Sequence, residues 1–166
     1  MSAKCWKFGH DISTDEIIPV RFMIVTEPAE LAKHIMENLD PEFVHKFQPG
    51  EIFMAGENFG YGSSREHAAL ALKAAGVQAI IARSFARIFY RNSINIGLPV
   101  LVCPEAVDNS AEGDIIEIDI DRSLIRNLSR NMEFTFQSYP SFIMEFFKRG
   151  GLINALNEEL SDKLNL

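Results

Sequence analysis

The sequence predicts an α/β fold, a mixed sheet with flanking helices, in one domain spanning residues 1–166. Three observations predict it. Short apolar runs of strand length alternate with helical segments from Cys5 to Cys103. The stretch DIIEIDI at 114–120 then alternates with period two, the mark of a half-buried strand. No internal repeat, linker or low-complexity segment divides the chain, and its length suffices for one sizeable core.

The elements follow in order. Cys5–Phe8 reads as a strand and Gly9–Asp15 as a loop. Glu27-Pro28 opens a helix through about Glu37, with proline well placed in a first turn. Asp40-Pro41 opens a shorter helical turn, and Glu51–Ala55 is a strand. Ser64–Ala75 is a helix ended by Gly76, and Ala79–Ala82 is a buried strand. Ser84–Asn95 is a helix, with Ser84 as its cap and Gly97 beyond its end. Val100–Cys103 is a strand, and Asp114–Ile120 and Glu133–Phe136 are two more. Helices at Pro140–Lys148 and Leu152–Leu160 flank Gly150-Gly151.

Composition narrows the partners. The net charge of −7 and pI near 5.1 disfavour nucleic acid and anionic membranes. No run approaches the ~20 apolar residues of a membrane span. MSAKCWKFG lacks the apolar core of a signal peptide, so the expected compartment is the cytosol. Cys5 and Cys103 read as reduced core residues. The histidines 10, 34, 45 and 67 have no metal-ligand spacing, so no metal site is expected on this chain. His34 and His45 are expected on exposed helix faces, and His67 in a supporting role beside the site.

Residues 56–68, GENFGYGSSREHA, carry the most information. Glycines 56, 60 and 62 allow unusual backbone angles and close approach. A helix follows, and a helix N-terminus offers free N–H groups and a positive dipole end, which suit a carboxylate. Arg65 lies in the first turn, where a cation opposes the dipole unless an anion joins it. Ser63 and Glu66 also fit a capping box, S-x-x-E, so the same serine has a structural and a chemical reading.

This stretch closely resembles the signature of the mobile swivel domain of the aconitase superfamily. In a short chain it is similar to the small subunits of isopropylmalate dehydratases. GHDISTDEIIPVRFM at 9–23 resembles the same subunits, with Ser13 replacing the first aspartate of their aspartate-threonine-aspartate triplet. SFARIFYRNSINIGLP at 84–99 and GGLINAL at 150–156 extend the resemblance over nearly the whole chain. In the third stretch Arg87 and Asn92 are expected to hold the fold.

The resemblance implies a three-layer β/β/α swivel domain and a reversible dehydration. A [4Fe–4S] cluster is expected on a separate large subunit, since two cysteines without C-x-x-C spacing cannot supply it. The cluster's open iron would act as Lewis acid on the substrate hydroxyl. By the same resemblance Ser63 is the base, and Ser64 and Arg65 bind a substrate carboxylate. Thr14 and Asp15 are further substrate-binding candidates. Ile24 aligns where homoaconitase-type subunits carry an arginine, so Phe22-Met23-Ile24-Val25 suits an alkyl substituent such as isopropyl. Arg21 keeps a homoaconitase reading open, and dimethylmalate would fit the same apolar loop. A non-enzymatic anion-binding module is the rival class, against which the complete signature weighs.

Overall fold

The computed structural model describes residues 2–164. Among them seven strands form one hydrogen-bonded sheet: β1 (Ser2–Lys7), β2 (Ile52–Ala55), β3 (Ala79–Ala82), β4 (Val100–Val102), β5 (Ile115–Asp119), β6 (Leu124–Asn127) and β7 (Met132–Thr135). The order is β4-β3-β2-β1-β5-β6-β7. Strands β1 to β4 pair in parallel, and β5, β6 and β7 continue antiparallel. β1 is the seam. Its Cys5, Trp6 and Lys7 pair with β2, while Ser2, Ala3 and Lys4 pair with β5.

Side-chain alternation divides the core into two. Phe53 and Ala55 of β2 and Ile80 and Ala82 of β3 face one apolar cluster, with Leu72, Phe89 and Ile17 from the helical side. Ile52, Met54, Ala79 and Ile81 face the other, which holds Ile116, Ile125 and Phe134. Both strands are therefore buried on both faces, as parallel central strands usually are. Because the second cluster joins both strand sets, with Ala106 and Val107 beside them, β5 to β7 stack over the parallel strands on the face opposite Leu72, Phe89 and Ile17. That is the expected β/β/α layering.

The helices are α1 (Thr14–Ile17), α2 (Pro28–Leu31), α3 (Phe43–Lys46), α4 (His67–Ala74), α5 (Arg87–Asn95), α6 (Pro104–Asp108), α7 (Ser141–Arg149) and α8 (Leu152–Leu164). No helix among the described residues is long and apolar enough to cross a membrane.

Three local expectations are corrected, and three short elements are new. The helix expected over 27–37 stops at Leu31 and passes through a 3-10 turn, because Ile35 and Met36 are both fully buried. Met36 there takes φ 58° and donates its N–H to the Ile17 carbonyl at 2.8 Å. Ser84 caps nothing; α5 starts after Ala86, and the Ser84 hydroxyl accepts the Asn58 N–H at 2.8 Å. α1, α6 and β6 were not foreseen; the inward positions of β6 are Ile125 and the polar Asn127, which breaks the apolar alternation. Ser63 and Glu66 do not form a capping box, since α4 starts at His67 without a side-chain cap. The capping box lies instead at Ser13 and Glu16, ahead of α1.

Candidate functional site

The chain leaves β1, β2 and β3 at their C-terminal ends and forms three neighbouring loops there, a common place for sites on parallel strands. The signature loop after β2 lies between the other two. On one side it runs parallel to residues 11–14, bridged at Ser13 and Tyr61. Gly60 donates its N–H to the Ile12 carbonyl at 2.7 Å, and Thr14 donates to the Tyr61 carbonyl at 2.8 Å. On the other side, Phe59 donates to the Ser84 carbonyl at 3.1 Å, and Ala86 donates to the Phe59 carbonyl at 2.9 Å.

The glycines make this fit possible. Gly62 has φ 116°, and a Cβ there would lie 2.9 Å from Thr14 Oγ1. Gly60 has φ 82°, and a Cβ would enter the Phe89 ring. At Gly56 a Cβ would meet His10 at 2.8 Å. The space that the sequence reading reserved for a ligand is thus filled by the chain itself. The ligand-facing part begins only at Ser63.

Ser63 is half-buried and pinned from behind. Its N–H donates to Thr14 Oγ1 at 3.0 Å, and Thr14 is 2% exposed. The Ser63 hydroxyl accepts the Arg65 N–H at 3.2 Å. Ser64 and Arg65 are exposed, and Asn92 of α5 holds the Ser64 carbonyl at 3.2 Å. Among the described residues Arg65 pairs with no carboxylate. Directly behind it begins α4, whose opening turn has no side-chain cap. His67 Nδ1 is buried there without a partner among the described residues.

The remaining candidates surround this centre unequally. Asp15 sits exposed in the first turn of α1. Ile24 is 89% exposed and follows the 3-10 turn Val20–Phe22. Arg21 is turned away to Glu37, which also accepts from His34 at 2.8 Å. Phe22 stacks on the His34 ring at 3.9 Å, so His34 is less exposed than expected, whereas His45 is exposed. Asn92 does hold the loop, as expected. Arg87, expected to hold the fold, is exposed and has no ion pair among the described residues.

The donor set does not suit an iron–sulfur cluster. Both cysteines are buried in the second core cluster. Burial, with Asp114 nearby, pushes the Cys5 thiol up to about 11, and burial raises Cys103 also. Thiolate ligands need the opposite shift. Among the described residues no group of three His, Cys, Asp or Glu side chains could hold a metal ion. A cleft of about 630 Å³ lies between β5–β6 and α7, lined by residues such as Gln78, Glu117, Arg126 and Phe147, and contains no signature residue.

Together these loops present a hydroxyl, a guanidinium and a helix N-terminus at the surface, groups whose chemistry suits an anion. Residues 25–106 match the family model of the aconitase C-terminal domain. The chain is 56% identical over 160 residues to the 3-isopropylmalate dehydratase small subunit of Caldanaerobacter subterraneus, covering 96% of this chain and 99% of that one. It is 49% identical over 156 residues to 3-isopropylmalate dehydratase small subunit 1 of Methanopyrus kandleri, covering 94% and 92%. The crystal structure of a 3-isopropylmalate dehydratase from Methanocaldococcus jannaschii superposes with a TM-score of 0.92 at 41% identity, over 99% of this chain and 97% of that one.

Proposed function

The chain belongs to the family of 3-isopropylmalate dehydratase small subunits, and from that premise we propose that it is one half of a hydro-lyase. The reaction is the interconversion of 2-isopropylmalate and 3-isopropylmalate by dehydration and rehydration, a cytosolic step of leucine biosynthesis. A [4Fe–4S] cluster belongs to a separate large subunit in this reading, since Cys5 and Cys103 do not fit it.

The observation that carries the reading is Ser63, held by Thr14 from behind and open in front, beside Arg65, which has no carboxylate partner among the described residues. In the proposed reaction Ser63 Oγ, as the alkoxide, removes the proton from the carbon next to a substrate carboxylate. A serine is a weak base at its ordinary pKa, so its anionic form needs support. The Arg65 N–H already points at this oxygen, and a donor to the charged form lowers its pKa. The nearby α4 N-terminus adds a favourable field. Ser64 and the Arg65 guanidinium then bind the carboxylate, Arg65 through two parallel hydrogen bonds. Thr14 spends its hydroxyl on the Ser63 amide, so its part is to fix the base. Asp15, exposed nearby, is left for the edge of the substrate site. Covering this open face by the large subunit would exclude water and strengthen each of these interactions.

Substrate choice rests on the loop at 20–25. Ile24 presents an alkyl surface, and Arg21 is engaged with Glu37. An extra carboxylate, as in a homocitrate-type substrate, therefore finds no waiting cation there. Dimethylmalate is the alternative that shares the alkyl chemistry. The test is kcat/KM of the reconstituted pair over a panel of 2-substituted malates. Highest kcat/KM for isopropylmalate supports the proposal. Preference for homocitrate or dimethylmalate replaces the substrate, and no turnover of any malate leaves the non-enzymatic anion-binding module.

A further inference from the structure

The chain has nine arginines. Six of them, at 21, 83, 122, 126, 130 and 149, lie in ion pairs with carboxylates of the chain. Among the described residues the other three, Arg65, Arg87 and Arg91, have no such pair. All three are in the signature loop or on α5, the helix that holds it.

Arg87 and Arg91 are exposed and stand four residues apart, one turn of α5. Like charges at this spacing repel. Arg87 also sits in the first turn, against the helix dipole, with no side-chain cap beside it. A chain of net charge −7 has carboxylates to spare, yet none of the described ones is placed here. Isolated, the arrangement is unfavourable. An external anion would reverse its sign.

Position identifies that anion's carrier. α5 abuts the signature loop through Asn92 on the Ser64 carbonyl, Ala86 on the Phe59 carbonyl and Phe89 against Gly60. Between the two arginines Ile88 is 47% exposed, and Tyr61 on the loop is 41% exposed. Arginines flanking an exposed apolar residue, with an exposed tyrosine on the adjoining loop, have the composition of an interface centre. A partner that completes the half-site at Ser63 must come down beside this face.

We propose that Arg87 and Arg91, with Ile88 and Tyr61, dock this chain onto a carboxylate-bearing surface of the large subunit. The proposal rests on the reading that such a subunit completes the site. The pair acts in assembly and touches no reacting atom.

The test uses the full chain with purified large subunit. Binding is measured by calorimetry without substrate, and turnover by titrating a fixed amount of large subunit. Arg87→Glu and Arg91→Glu are each expected to weaken binding roughly tenfold, with the loss shrinking at high salt. The kcat at saturating small subunit should match wild type. Arg122→Glu, on the opposite half of the sheet, serves as control and should bind normally. If a reversal lowers the unfolding temperature, Arg87→Gln and Arg91→Gln take its place. Unchanged binding overturns the proposal. So does normal binding with a salt-dependent fall in kcat/KM, which would make the arginines steer substrate. A wild-type pair that binds without turning over any malate would defeat the proposed reaction and leave the docking result intact.

Discussion

In the antiparallel half of the sheet every arginine is answered. Arg126 lies between Glu117 at 3.0 Å and Glu133 at 2.8 Å, and Arg130 meets Asp114 at 2.6 Å. Asn127, fully buried, donates to Ser110 and Asp114 and accepts from the Arg130 N–H. Around the loops at the end of the parallel strands, Arg65, Arg87 and Arg91 meet no carboxylate among the described residues. Both regions are well ordered by hydrogen bonds, so the difference is not one of looseness. Charge satisfied within the chain marks structure. Charge left unanswered within the chain marks, on our proposal, a surface for a partner.

Four changes test this contrast, the largest effect first. Ser63→Ala should lower kcat of the reconstituted pair by about 10²- to 10⁴-fold. Its stability should hardly change, because the hydroxyl accepts only one long hydrogen bond and caps no helix. Unfolding and turnover measured on the same preparation separate the two. A stability loss with normal turnover per folded molecule would make Ser63 structural.

Arg65→Lys keeps the charge and loses the two-pronged geometry. We expect kcat/KM to fall roughly 10- to 100-fold, the value of a hydrogen bond between charged groups. Wild-type kinetics would remove Arg65 from the site. Ile24→Arg should lower kcat/KM for isopropylmalate about tenfold or more and raise it for a homoaconitate-type substrate. No response in either direction would show that this loop does not reach the substrate, leaving Arg21 to be tested next.

The smallest effect belongs to the other half. Asp114→Asn should cost about 1–3 kcal/mol of stability and leave turnover alone. Burial alone would raise the Asp114 pKa, but donors at Ala111, Asn127 and Arg130 hold it below its ordinary value of 3.8. A depressed carboxylate stabilises fully above its unfolded pKa, and the contribution disappears as pH falls through the lower folded one. Wild type should therefore lose its advantage over the variant in acid, below about pH 4. Urea unfolding across that range checks it; a constant difference at all pH values would mean the charge does not matter.

The two halves were also unequally legible. The signature residues, the strands at 52–55 and 79–82 and the burial of both cysteines could be read directly, because apolar runs and glycine spacing are local signals. The capping boxes show the limit. S-x-x-E occurs at both 13–16 and 63–66, and only the first forms, because tertiary contacts decide where a helix begins. At 63–66 the Thr14 hydroxyl takes the Ser63 amide, and Ser63 turns to Arg65 instead. β6 escaped notice because its two inward positions are Ile125 and the polar Asn127, which breaks the apolar alternation, and the seam at β1 depends on partners far along the chain. The unanswered arginines were equally hidden. A sequence shows charges, not which of them find a mate.

The three glycines of the signature carry a practical consequence for engineering. Each lies against a residue from another segment: Gly56 against His10, Gly60 against Phe89 and Gly62 against Thr14. The shape of the loop is therefore written in three places. Grafting residues 56–68 onto a foreign scaffold would transfer the letters and leave the conformation behind. The smallest transplantable unit is the loop together with residues 10–14 and α5. Any redesign of what this loop binds has to keep that trio constant.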